Sequence, residues 1–326
     1  MRTSLTLSLV AVCVLAGCGG PSAPKSAEPG GAAKQDTLEI AVIPKGLTHQ
    51  FWVTVRAGAE AAAKELGATV VWQGPTKETE IDRQVSIVQD MINRKVDGIV
   101  LAACDENALV NSVAQAEAAG IPVVTFDSGV KSELPRSFVA TDNIEGARQA
   151  AGVLAELIGG EGEVGQIPFV PGAATSELRE QGFRKGVGEH PGLKLAATNY
   201  SQSDVSMGMN VTTDMLTAFP SIKGIFASNE PGAIGAAQAL RALGKAGQVK
   251  LVAFDASGEQ INALKDGVIQ ALIVQNPFKM GYEGVRALVA SIKGEPVEKV
   301  IDTGVTIVTK ENLDEPEIQR LLSGKS

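Results

Sequence analysis

Residues 97–127 read DGIVLAACDENALVNSVAQAEAAGIPVVTFD. Gly98–Ala102 and Pro122–Phe126 are short apolar runs rich in Val and Ile, and Asn107–Ala119 between them carries apolar residues at helical spacing. A strand, a helix and a second strand in that order make one parallel unit, because the helix returns the chain to the edge from which the first strand started.

The unit repeats along the chain. Further strands are expected at Leu38–Ile43, Thr69–Trp72, Ser137–Thr141, Val164–Val170, Lys194–Thr198, Gly224–Ala227, Val249–Phe254, Gln270–Val274 and Gly304–Val308. Helices are expected at Gln50–Leu66, Glu78–Asn93, Ile144–Ile158, Ser176–Val187, Ser206–Phe219, Ala233–Leu243 and Met280–Ile292. The alternation predicts an α/β fold with parallel sheets covered by helices on both faces. There are more strands than one parallel sheet comfortably holds, which predicts two three-layer (αβα) lobes.

The start of the chain has a different character. Arg2, the apolar run Leu5–Leu15 and then Leu15-Ala16-Gly17-Cys18 describe an export signal too short to remain as a membrane span. Leu-Ala-Gly-Cys has the form of a bacterial lipobox, so residues 1–17 are expected to be removed and Cys18 to carry lipid. Residues 18–37, rich in Gly, Pro, Ala and Ser, then form a flexible tether, and the membrane is met through the lipid anchor alone.

Composition removes whole classes of function. A net charge of −8 without a basic cluster excludes a nucleic-acid partner. Of the three cysteines, Cys13 and Cys18 precede the folded part, so Cys104 stands alone and reads as a small buried residue at a strand end. The two histidines, His49 and His190, have no metal-ligand spacing, and neither metal nor cofactor is expected. Gly160-Glu161-Gly162-Glu163-Val164-Gly165 matches a dinucleotide fingerprint in letters only, since it follows a helix and leads into a strand. No nucleophile elbow or acid-paired histidine motif points to an enzyme.

Ligands of open parallel sheets bind beyond the carboxyl ends of the strands. His49, Phe51 and Trp52, Asp105, Asp127, Asp142 and Asn143, Asn229 and Glu230, Asp255, and Gln275 all occupy such positions. Asp105 and Asp142-Asn143 read as helix caps. The rest suit a small polyhydroxylated ligand: planar bidentate groups clamp neighbouring hydroxyls, and an aromatic face takes the C–H face of a sugar ring. Bonds to charged groups contribute about 1.5–3 kcal/mol each, and micromolar affinity requires only about 8 kcal/mol.

From Leu38 to about Thr309 these pieces fall in one order: Phe51-Trp52; Asp97-Gly98-Ile99-Val100; Ala119-Gly120-Ile121-Pro122-Val123-Val124; Phe126-Asp127; Thr141-Asp142-Asn143; Arg179 with Gly182-Phe183; Phe226-Ala227-Ser228-Asn229; Phe254-Asp255; and Gln275. The ordered set resembles the type I periplasmic binding proteins, in particular the ribose-binding-like components of ABC importers. The resemblance implies two lobes joined by a hinge of three crossover strands: 38–141 plus 276–302, and 142–275 plus 303–326. It implies capture of a monosaccharide outside the cytoplasmic membrane by a monomer that delivers it to an ABC permease, from the periplasm or cell envelope. The implied ligand contacts are His49, Phe51, Trp52, Asp127, Arg179, Asn229, Asp255 and Gln275. Arg179 enters this set only through the resemblance, and the residues do not decide which of Phe51 and Trp52 meets the ligand.

Ribose binders carry an arginine after the first aspartate and an asparagine at the histidine position, whereas this chain has Ser128 and His49. Ser128 shortens the reach and removes a charge. The stretch Trp72-Gln73-Gly74-Pro75-Thr76 also resembles the branch that binds autoinducer-2. That ligand, and a sensor subunit presenting its ligand to a chemoreceptor or histidine kinase, stand as alternatives. Cys18→Ala is expected to block lipidation and cleavage before residue 18; normal processing with retention in the detergent phase would contradict the lipobox reading.

Overall fold

The computed structural model describes residues 37–324; the export signal, Cys18 and nearly all of the tether lie outside them. The elements run β1 (Glu39–Ile43), α1 (Gln50–Leu66), β2 (Thr69–Trp72), α2 (Ile81–Arg94), β3 (Gly98–Leu101), α3 (Val110–Ala118), β4 (Val123–Phe126) and β5 (Phe138–Ala140). There follow α4 (Asn143–Leu157), β6 (Gly162–Ile167), α5 (Ala174–Glu189), β7 (Leu193–Thr198), α6 (Val205–Ala218), β8 (Ile222–Ala227), α7 (Glu230–Ala242) and β9 (Lys250–Phe254). The last are α8 (Gly258–Lys265), β10 (Ala271–Gln275), α9 (Pro277–Ile292), β11 (Val300–Asp302), β12 (Val305–Thr309) and α10 (Pro316–Leu322).

The described strands form two six-stranded sheets, ordered β11-β5-β4-β3-β1-β2 and β12-β10-β9-β8-β6-β7. Strand periodicity divides each core in two. Ile40 and Val42 of β1 point with Val100 and Val124 into a layer under α1 and α9, and Ala41 and Ile43 point with Ile99 and Leu101 into a layer under α2 and α3. In the second sheet Phe226, Val252 and Phe254 face α4 and α5, and Ile225, Leu251 and Ala253 face α6 and α7.

Two α/β units of three layers each are therefore present, with one departure from purely parallel sheets. β12 lies antiparallel to β10, with Ile307 opposite Ile273. Only Thr303 and Gly304 separate β11 in one sheet from β12 in the other, too short a link for a helical crossover, and Gly304 turns at φ 80°. β11 escapes sequence reading because it is a three-residue edge whose Val300 is exposed. Helices α8 and α10 escape it because they are short, eight and seven residues. Boundaries shift where local chemistry intervenes: Pro168 follows the end of β6, and Asn229 caps α7 from Gly232 N, starting that helix at Glu230.

The helices that flank the sheets pack closely through glycine. A Cβ on Gly281 of α9 would run into the carbonyl oxygen of Val55, and one on Gly58 of α1 into that of Phe278. Backbone atoms cannot move aside as side-chain tips can, so the two helices would have to separate. Gly281→Ala is expected to lower stability by about 1–3 kcal/mol. Urea unfolding checks this, and a midpoint equal to the parent's would contradict the close approach.

Candidate functional site

β4 and β9 hold corresponding places in the two sheets, and each ends in Phe-Asp: Phe126-Asp127 and Phe254-Asp255. Both aspartates adopt left-handed backbone, φ 53° at Asp127 and 74° at Asp255. Asp tolerates this region better than most side chains, yet holding a residue there costs of order 1–3 kcal/mol, supplied by the surrounding fold. The turn swings each carboxylate off its sheet edge into a common cavity.

That cavity is lined by all eight residues His49, Phe51, Trp52, Asp127, Arg179, Asn229, Asp255 and Gln275. Both sheets contribute. Glu230, another of the strand-end residues, lines it too, as do Lys45, Glu78, Phe169 and Thr175, which sequence reasoning did not assign to it. Lys45 lies two residues past β1, a strand-end position that could have flagged it. Glu78, expected to open a helix, sits instead in the loop ahead of α2, which begins at Ile81.

Lys45 carries the charge at this end of the site. Its buried Nζ is 2.9 Å from Asp127 Oδ2 and donates to Thr175 Oγ1 at 2.9 Å in the other lobe. Nζ also lies 5.1 Å from the Phe169 ring centroid. Burial opposes the ammonium charge, but Asp127 and Glu78 outweigh it and raise the lysine above its ordinary value. Ser128, where ribose binders carry an arginine, lies with its Oγ 3.5 Å from the Lys45 ammonium.

Arg179 is fully committed on one side. Its Nε donates to Asn143 Oδ1 at 2.8 Å and Nη1 to the Ser228 carbonyl at 2.7 Å, while the guanidinium stacks 3.9 Å from the Phe254 ring centroid. Burial lowers its basicity against the pull of Asp255, Asp127 and Glu78, yet a guanidinium keeps its proton at physiological pH. Asn143, read from sequence as part of a cap, is thus the residue that orients Arg179; Asp142 alone caps α4, accepting from Glu145 N. Asp105 behaves as a local cap, its Oδ1 accepting from Asn107 N and Ala108 N ahead of α3.

Asp255 accepts from Gln275 Nε2 at 2.7 Å and from Glu230 N at 2.9 Å. Burial nevertheless pushes its carboxyl above the ordinary range, with Arg179 and the two donors opposing. Trp52 is buried in the core against Phe126, and its Nε1 donates to Glu78 Oε1 at 3.1 Å; Phe51, half-buried, meets the Trp52 ring edge-on at 4.9 Å. Asn229 spends Oδ1 on the α7 cap and Nδ2 on Ser203 Oγ. His49 Nδ1 lies 3.7 Å from Glu78.

One acceptor of the cavity lining remains unused: Gln275 Oε1 receives no hydrogen bond, whereas Asp127 Oδ2 is paired with the Lys45 ammonium. Such an orphaned buried acceptor is costly unless a donor arrives. The cavity therefore presents an open acceptor, fixed cations and aromatic faces together. Cys104 lies behind Lys45, and burial pushes its thiol up, away from reactivity. No cluster of His, Cys, Asp and Glu among the described residues is arranged to hold a metal ion.

Residues 40–296 match the model of the periplasmic binding protein domain. The chain belongs to that family of solute-binding proteins. The D-ribose/D-allose-binding protein of Pseudomonas aeruginosa is 32% identical over 95% of this chain and 99% of its own. Among solved structures, an ABC transporter solute-binding protein from Agrobacterium vitis with bound D-fucose is 40% identical, with a TM-score of 0.85 over 87% of this chain and 99% of its own. A carbohydrate transporter solute-binding protein from Agrobacterium radiobacter in complex with D-arabinose is 37% identical, with a TM-score of 0.85 over 88% and 99%. The type I periplasmic binding protein fold expected from the sequence is the one these relatives share.

The charge network makes one pH-dependent claim. Burial alone would push Glu78 up, but Lys45, His49 and the donors Ser203 and Trp52 outweigh it and hold the carboxyl below its ordinary value. A depressed value in the folded state stabilises above the unfolded pKa, about 4.3, and that contribution fades as pH falls through the folded value. Glu78→Gln is expected to cost about 1–3 kcal/mol at pH 7 and less at pH 4. Denaturant titrations at the two pH values check this; an equal cost at both would contradict it.

Proposed function

We propose that this protein captures a neutral monosaccharide outside the cytoplasmic membrane and delivers it to an ABC permease. The observation that carries the reading is the unpartnered acceptor Gln275 Oε1 in a cavity bounded by both lobes and lined by planar polar groups. Sugar hydroxyls donate to such an acceptor and accept from the remaining Arg179 and Asn229 N–H groups, and Phe51 and Phe169 offer apolar faces to the ring. Carboxylates outnumber cations around the cavity: Glu78, Asp127, Glu230 and Asp255 face Lys45 and Arg179. That balance disfavours sugar acids and sugar phosphates.

The sugars bound by the relatives support import over sensing. Membership of the family implies an extracytoplasmic location, and no helix among the described residues is long and apolar enough to cross a membrane. The finer picture is a monomer whose signal, residues 1–17, is removed and whose Cys18 holds the folded part to the membrane through the 18–37 tether. The closing bodies are residues 38–141 plus 276–302 and residues 142–275 plus 303–326.

Calorimetry with D-ribose, D-allose, D-arabinose, D-fucose and D-galacturonate tests the reading. At least one neutral sugar is expected to bind, and the uronate not to compete. Arg179→Ala and Asp255→Ala are each expected to weaken that sugar by about 2–4 kcal/mol, roughly 30-fold to 1000-fold. Tighter binding of the uronate, or full affinity in both variants, would overturn it.

A further inference from the structure

The N-terminus of α1 is closed by a residue from the other lobe. His49, the N-cap, makes no side-chain capping bond. The next two amides, Gln50 N and Phe51 N, donate to Glu230 Oε1 and Oε2, each at 3.1 Å, across 180 and 179 residues of sequence. Glu230 opens α7 on the second sheet, is buried, and donates its own N–H to Asp255 Oδ2 at 2.9 Å. One residue thus grips the helix that carries Phe51 and Trp52 with its carboxylate and a cavity aspartate with its backbone.

We infer that Glu230 is a positioning residue for the binding site: its carboxylate caps α1 only when the lobes are together, which seats Phe51 against the cavity and favours the closed state. A carboxylate on the first amides of a 17-residue helix meets both unsatisfied donors and the positive end of the helix dipole. Parting of the lobes breaks both bonds at once. The groups facing Glu230 are Asp255 from the end of β9, His49 from the start of α1, and the two α1 amides. Burial and Asp255 push its carboxyl above the ordinary range, and the two amides and His49 oppose them. Glu78 makes the reciprocal connection from the first lobe, accepting from Ser203 Oγ at 2.9 Å.

The effect on sugar affinity rests on the capture reading, whereas the effect on closure does not. Closure is therefore tested without ligand. Ser128 Oγ and Thr175 Oγ1 lie 3.2 Å apart across the lobes, so the full chain carrying Ser128→Cys and Thr175→Cys can form a disulfide only when closed. Its rate of formation in oxidised glutathione is followed by mass spectrometry of the 128–175 cross-linked peptide. Adding Glu230→Gln is expected to slow cross-linking about tenfold to a hundredfold, and Glu230→Asp, one methylene shorter, to slow it less. Urea unfolding of the same variants with the cysteines reduced separates closure from general loss of stability. Cross-linking at the parent rate in Glu230→Gln, or slowing matched by unfolding of the whole molecule, overturns the inference. In calorimetry with D-ribose, D-allose, D-arabinose and D-fucose, Glu230→Gln is expected to weaken whichever sugar the parent binds. If the parent binds none, the capture reading fails, and the cross-linking rates still decide the role of Glu230.

Discussion

Charges taken out of water by two facing sheet edges must find partners, and that constraint organises the centre of this protein. Lys45 holds its charge because Asp127, Thr175 and Ser128 surround it. Arg179 holds its own through Asn143, the Ser228 carbonyl and the face of Phe254. A buried pair is weak evidence for stability, since desolvation consumes much of the attraction, but breaking one by removing a partner is costly. The pairs here fix positions. Each cavity carboxylate is aimed by a donor on another element, and Gln275 Oε1 is left open at the cavity.

The sheet order supplies the frame for those positions. Parallel strands bring every carboxyl end to one edge, and three chain passages between the sheets, near Thr141, Asn276 and Thr303, leave two such edges facing each other. The left-handed turns at Asp127 and Asp255 repeat one device in both lobes. Several contacts across the cleft are polar: Lys45 to Thr175, Ser203 to Glu78, and the α1 amides to Glu230. Hydrogen bonds of this kind exchange readily with water. An interface built from them can open and close at small net cost, where an apolar one of equal area would stay shut.

Much of this was legible in the sequence, and the limits have physical reasons. The bounds of α1 and β2 could be read directly, because the stripe of α1 ends at Gly67 and the Val-rich run of β2 lies between Gly67 and Gly74. The strand-end rule found most of the residues that line the cavity. It missed the meaning of Lys45 and Glu78, whose roles come from partners far away in sequence, 82 residues in the first case and 125 in the second, counting Glu78 to Ser203. Asn143 looked like a cap because its neighbour is one; only the packing of α4 on α5 brings it to Arg179. β11 and the antiparallel β12 carry too little apolar pattern to show which sheet they join.

Small-angle scattering from the full chain, with and without a sugar whose saturation calorimetry has established, measures the central claim directly. If the cavity is the seat of a ligand that draws two lobes together through its differential contacts, the radius of gyration falls on addition of sugar. An unchanged scattering curve at proven saturation would contradict the account.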